Sequence, residues 1–253
     1  MKLISLFVIL LIPFVIEADV SRQGISAEGG LTGYPFLPGS RVLERGFLRI
    51  QGRLEYADMK NDAGSYLLLP LNITWGCIEN LELGGEIPIY LDDSSDDGHL
   101  LGDISAGCSW LYETARGGSA LVFKGLITLP TGSEGRDTGS ELAFGIATST
   151  TFRLLRLHTA ASYVLNGGRN PFEGRIIDYM KFSAGGASYL TGDLQIICGL
   201  DGTTTGDLGL AATITTYAVD KMALFVSMRA GLSGNTEYSF SAGAAWTMPE
   251  PEF

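Results

Sequence analysis

This 253-residue chain has two histidines, and each has neighbours that could make it reactive. His158 stands four residues before Ser162, a base and a nucleophile that would still need a third group to orient the imidazole. His99 ends the stretch "DDSSDDGH", residues 92–99, whose clustered carboxylates suit a hard cation such as Ca²⁺. That stretch lacks the regular spacing and distal Glu of a calcium loop, so solvated carboxylates and a solvated His99 are expected. Cys77, Cys108 and Cys198 follow no metal-ligand spacing, and three cysteines cannot complete a disulfide framework. Cys108 and Cys198 fall in apolar patterns, where a free thiol packs as a small hydrophobe. Gly145, Gly185, Gly186 and Gly243 match no phosphate-binding fingerprint. No cofactor is expected.

What the ionic residues can do depends on the elements that hold them. From residue 46 onward the chain alternates with period two. In Phe47–Tyr56, Leu48, Ile50, Gly52, Leu54 and Tyr56 share one face, and Arg49, Gln51, Arg53 and Glu55 share the other. Tyr66–Gly76 brings Leu67, Leu69, Leu71, Ile73 and Trp75 into phase. Leu81–Leu91 sets Leu81, Leu83, Ile87 and Ile89 opposite Glu82, Glu86 and Tyr90. Further strands are expected near 100–112, 119–129, 140–152, 155–165, 176–190, 193–201, 206–218, 221–232 and 236–248. That makes about twelve strands and no helix, an all-β chain.

Charge assigns the two faces. By phase, one face collects Arg49, Arg53, Lys124, Arg156, Lys181 and Arg229 with Glu55, Glu82, Glu86, Asp103, Glu141, Asp193 and Asp207, six cations against seven anions. His158 and Ser162 share it. An arginine facing lipid at mid-bilayer costs about 2–4 kcal/mol, so the charged face is read as the wall of a lumen. The opposite face, with Leu142, Phe144, Ile146 and Thr148, would then meet acyl chains. A Ser-His pair inside a barrel resembles outer-membrane phospholipase, but catalysis there needs an outward pair at the lipid boundary. His158 is instead expected to pack inward against Glu or Asp.

The remaining features agree with a transmembrane antiparallel β-barrel. Lys2, the apolar run Leu3–Ile16 and the small residue Ala18 read as a signal peptide over residues 1–18, too short for a membrane helix of about 20 residues. Residues 19–45 are a poorly patterned leader that would enter the barrel as a partial plug or hang in the periplasm. Residues 46–248 form the barrel, and 249–253 a short tail whose prolines cannot extend a ladder. Polar connections such as "ADMKNDAG" and "PTGSEGRDTG" follow odd-numbered strands, and mostly short ones such as "CIEN" and "RL" follow even-numbered strands. Extracellular loops and periplasmic turns differ in that way. Even-numbered strands end near Trp75, Trp110, Phe152, Tyr189, Tyr217 and Trp246, an interfacial girdle in which Tyr217 is out of phase. The net charge of −11 argues against nucleic acid as a partner.

Four segments carry a family resemblance: "LPLNITWGCIENLELGGEIPIYL", "LLGDISAGCSWLY", "ALVFKGLITLPTGS" and "MALFVSMRAGLSGNTEYSFSAGAAWTM". With Gly102-Asp103 opening a strand, Leu129 to Gly132 closing one, and a Gly-rich final hairpin, residues 45–248 resemble the transporter-like outer-membrane proteins named for the MetA pathway of phenol degradation. The resemblance implies an outer-membrane barrel of a Gram-negative-type bacterium that takes up aromatic compounds. Ser241–Met248 also resembles the terminal signal read by the outer-membrane assembly machinery. The expected partners are outer-membrane lipid, that machinery and a small solute. The expected function is a passive channel for small, hydrophobic or aromatic solutes. A non-conducting structural or surface-contact barrel, a membrane-embedded hydrolase, and a soluble exported barrel or sandwich are the alternatives.

Overall fold

The computed structural model describes residues 25–27, 30–34, 37–38, 41–60, 64–93, 101–113, 119–132, 140–152, 155–166, 178–219 and 221–249. The expected signal peptide, His99, most of the acidic loop and residues 250–253 lie outside them.

Three short strands come first: β1 (Ile25–Ser26), β2 (Thr32–Tyr34) and β3 (Leu37–Pro38), paired in that order into a small sheet. Twelve longer strands follow: β4 (Phe47–Met59), β5 (Ser65–Ile78), β6 (Leu81–Asp93), β7 (Ile104–Glu113), β8 (Ser119–Leu129) and β9 (Glu141–Phe152), then β10 (Leu155–Asn166), β11 (Tyr179–Tyr189), β12 (Leu194–Thr203), β13 (Leu208–Val219), β14 (Met222–Ser233) and β15 (Thr236–Pro249). They close into one barrel in which every sequence neighbour pairs antiparallel and β15 returns to β4. Closure removes the unpaired sheet edges that an apolar surroundings would not satisfy.

Alternation decides which side each residue faces, and the sides are inverted relative to a water-soluble protein. Large apolar side chains stand exposed on the outside, among them Ile50, Ile73, Phe144, Ile214 and Met228, with Ile146 at 47%. Inside, Arg49 is 1% exposed and Glu82 0%. A continuous apolar exterior around a polar interior is the arrangement lipid demands and water penalises. The chain is a transmembrane β-barrel.

Aromatic residues ring both ends. Trp75, Trp110, Phe152 and Trp246 are exposed at the end that holds the short turns and the barrel's first and last strand ends. Trp110 stacks on Phe123 at 5.8 Å. Tyr56, Tyr163, Tyr238 and Phe240 mark the long-loop end, with Tyr56 and Tyr238 6.2 Å apart. These amphipathic rings suit the headgroup level. Tyr217, out of phase in the sequence, packs inward, its hydroxyl 3.5 Å from Gln195 Oε1.

The strand boundaries correct several expectations. β4 runs through Met59 and β6 through Asp93, where Asp92 pairs with Leu67 and Asp93 with Tyr66. The barrel also takes in Pro249, opposite Phe47; as the last strand residue it need not donate onward. Asp103, Asp193 and Asp207, expected within strands, stand in the connections before β7, β12 and β13. Their chemistry explains it. A short carboxylate can serve a backbone N–H more readily in a turn than in a ladder. Asp103 Oδ1 accepts from Gly132 N at 2.7 Å, and Asp207 Oδ1 from Asn235 N at 3.0 Å. Asp193 is exposed, and its carbonyl accepts from Tyr217 N at 2.8 Å.

Candidate functional site

The candidate site is the barrel interior. Every second residue of each strand points into it, so its chemistry follows from parity alone. On β4 this gives Arg49, Gln51, Arg53 and Glu55, and on β6 Glu82 and Glu86. Arg53 Nε lies 3.1 Å from Glu55 Oε2, and its Nη1 lies 3.8 Å from Glu86 Oε2. Arg49 Nε donates to Thr247 Oγ1 at 3.1 Å, across the β15–β4 seam. On the other side of β4, two strands away on β14, Arg229 Nε reaches both oxygens of Asp201 of β12, at 3.0 and 2.9 Å. The arginine–carboxylate pairings neutralise charge where lipid surrounds the wall and unpaired ions would be costly.

Asp201 was missed at the sequence level. It has the same parity as Asp193, and its inward phase was legible from Gln195 and Ile197, both buried on β12.

The other sequence-selected residues gather on β8 to β11. Lys124, Glu141 and Lys181 line one cavity, joined there by Ser162. Tyr179 Oη donates to Glu141 Oε1 at 3.4 Å, and Lys181 Nζ sits 5.8 Å over the Tyr179 ring. Arg156 lies nearer the short-turn end, with Nε 3.3 Å from Thr151 Oγ1. His158 is buried opposite Ser149 and Gly185. Four residues of strand separate His158 from Ser162, about 13 Å of rise, so the two side chains do not form a direct Ser-His pair.

The leader also occupies the interior. Ile25 is 0% exposed and packs with Ala187, Ile197, Ala223, Phe225 and Ala245 of β11 to β15. Val42 packs with Leu111, Val122 and Ala147 of β7 to β9. Ile25 and Val42 therefore touch opposing walls, in the half of the barrel nearer the short turns. Backbone proximity seats them. Thr74 Oγ1 donates to the Gly30 carbonyl, and Leu43 N donates to Glu82 Oε2 at 2.7 Å. A Cβ at Gly107 would stand 3.0 Å from Leu31 Cδ1, and one at Gly76 would collide with the Glu44 carbonyl. Gly76 makes room for the segment.

Among the described residues, the side chains of Asn72, Ser109, Ser149, Thr215 and Ser241 are buried and meet no protein hydrogen-bond partner. They are spread over five strands of the inner wall. All three cysteines are free, Cys108 and Cys198 on the exposed outer face. Among the described residues no group of three or more His, Cys, Asp or Glu could hold a metal ion.

No family model and no curated protein matches the chain. Solved structures do. An outer-membrane channel from Pseudomonas putida F1 superposes with a TM-score of 0.66 at 12% identity, over 83% of this chain and 99% of that one. The KdgM porin gives 0.58 at 9% identity, over 78% and 98%. The NanC porin gives 0.58 at 8% identity, over 79% and 98%. At these identities the likeness is one of fold alone: a closed antiparallel β-barrel.

Proposed function

We propose that the chain is a passive channel of the outer membrane for small solutes. The observation that carries this reading is the set of buried polar side chains, Asn72, Ser109, Ser149, Thr215 and Ser241, that meet no protein partner among the described residues. Buried hydroxyls and amides are nearly always satisfied, and on the inside of a lipid-facing wall water or a solute can satisfy them. A hydrated lumen behind an apolar exterior is a path. The like-folded channels and porins support the reading through their fold.

The path is narrow. Barrels of about eight strands are filled by side chains and those of sixteen to eighteen leave a wide aqueous channel; twelve strands lie between. The ion pairs and the described leader residues, Ile25 and Val42 among them, take up part of that section. Small solutes should pass, sorted by single side chains such as Arg49, Arg53, Glu55, Glu82, Glu86, Lys124, Glu141, Arg156, His158, Lys181 and Arg229. We assign the chain, on its motifs, to the transporter-like proteins named for the MetA pathway of phenol degradation, with aromatic compounds as the solute class. Its terminal pattern Ser241–Met248 lies wholly within β15, where a machinery that reads a last strand would meet it.

The leader favours one other reading. Because Ile25 and Val42 touch opposing walls, a permanently sealed barrel with a structural role is the competitor. Liposome swelling separates the two. Proteoliposomes should swell in small neutral sugars and amino acids and lag in larger ones. Failure to swell in any solute would leave the sealed barrel.

A further inference from the structure

Nearer the short turns, apolar inward residues pack with the leader: Ile197 and Phe225 with Ile25, Leu111 and Val122 with Val42. A further apolar patch, on β5 and β6 in the half nearer the long loops, belongs to neither cluster. Parity turns Tyr66, Leu68 and Pro70 inward on β5, and Pro88 and Tyr90 inward on β6. Leu68 pairs with Tyr90, and Pro70 with Pro88. The rings of Tyr66 and Tyr90 meet edge to face, 6.1 Å apart at 67°. Pro70 is buried, whereas Tyr66, Leu68, Pro88 and Tyr90 are half-buried, so the patch presents apolar surface to the lumen. Prolines are uncommon inside a sheet because they give the ladder no N–H, yet here two stand opposite each other in mid-wall. Gly102 keeps one flank open. Its N–H donates to the Pro88 carbonyl at 3.0 Å, and a Cβ there would come within 2.9 Å of Pro88 Cγ and Tyr90 Cε2.

We propose that this patch is a binding site for an uncharged, single-ring aromatic solute with the size and chemistry of phenol. The proposal rests on the channel reading in that the solute must reach the interior, and it gives the aromatic solute class a place on the wall. Proline and aromatic rings pack face against face, as proline-rich peptides do in aromatic grooves. A third aromatic ring also extends the edge-to-face pair of Tyr66 and Tyr90. A saturated ring of the same size has no π face and makes neither contact as well. The polar end of the solute has a partner too. β4 borders the patch, with Glu55 opposite Leu68 and Arg53 one inward position further along. Neighbouring strands lie about 4.8 Å apart, so a ring over Leu68 and Pro70 brings its hydroxyl to the Glu55 carboxylate. That carboxylate can accept from the hydroxyl while still bonded to Arg53 Nε at 3.1 Å. An ionised ring substituent would lose hydration against Leu68 and the two prolines, which favours the neutral form.

Calorimetric titration of the full chain in neutral-detergent micelles tests this, with phenol and cyclohexanol as probes and protein-free micelles as the blank. Phenol should bind about three-fold or more tightly than cyclohexanol, and Tyr66→Ser with Tyr90→Ser should abolish that preference. Phe123→Leu removes a ring that stacks on Trp110 on the outer face, and it should leave both affinities as they were. Equal binding of the two probes to wild type, or an undiminished preference in the double variant, would overturn the site. Loss of phenol binding in Phe123→Leu would place the ligand in the outer belt and overturn it as well. Should the double variant lose the heat-dependent gel shift of a folded barrel, Gly102→Ala, which crowds Pro88 and Tyr90, decides alone: a weaker phenol preference supports the patch, and an unchanged one rejects it. Titration reads binding without transport. A silent barrel that prefers phenol therefore contradicts the channel alone, and a conducting barrel without that preference contradicts the patch alone.

Discussion

Each side chain on this wall meets one of two solvents, and substitutions should divide accordingly. Ile146 faces outward at mid-strand in β9 and is 47% exposed. Ile146→Arg should cost about 2–4 kcal/mol of barrel stability in lipid, read as a lower midpoint in urea unfolding from vesicles. The inward Arg229–Asp201 pair behaves differently. Its side chains are 10% and 22% exposed, so Asp201→Asn should cost about 1–3 kcal/mol, below the 3–5 kcal/mol of a fully buried pair because lumen water screens it. Asp201→Leu with Arg229→Leu should recover most of that loss in the same assay; a double variant as damaged as the single one would refute the explanation. Parity made Arg49, Arg53 and Lys124 legible in the sequence, since a charge in phase with its neighbours has one tolerable side. Asp201 was equally legible and was missed at a strand end. Asp103 and Asp207 misled for a chemical reason: their carboxylates bind backbone N–H groups of Gly132 and Asn235 in connections.

The strands themselves could be read with little loss, because lipid outside and polar groups inside impose period two on every one of them. What could not be read was the leader. β1, β2 and β3 have two or three residues each, too few for any period to show. Their position depends on walls that are distant in sequence: Ile25 meets Ala187 and Ala245, and Val42 meets Val122. Ile25→Asp would bury a carboxylate among alanines, Ile197 and Phe225, which an apolar cluster does not tolerate. The expected outcome is an intact barrel with a released leader. Limited proteolysis of the folded protein should then cut before residue 46, while the heat-dependent gel shift persists. Gly76→Val should do the same by crowding the Glu44 carbonyl out of its seat. Cleavage no faster than in wild type would mean that the leader does not depend on these contacts.

At the scale of the whole molecule, the two ends are distinct. The long connections and a tyrosine-rich belt mark one end; the short turns and a tryptophan-rich belt mark the other, where β4 begins and β15 finishes. If the long-loop end faces the outside, a cysteine at Asn235 should react with an impermeant thiol reagent on intact cells, while one at Asn80 should not. The background must lack Cys77, Cys108 and Cys198. The reverse pattern would invert the orientation. Above all, the interior is held to be a hydrated, narrow path rather than a sealed core, and single-channel recording in planar bilayers tests that most directly. The full chain should give discrete steps of low conductance with weak ion selectivity, because among the described side chains of the strands six inward cations (Arg49, Arg53, Lys124, Arg156, Lys181, Arg229) face five inward carboxylates (Glu55, Glu82, Glu86, Glu141, Asp201). A silent membrane containing correctly folded barrel, with wild type and Ile25→Asp alike, would contradict the channel.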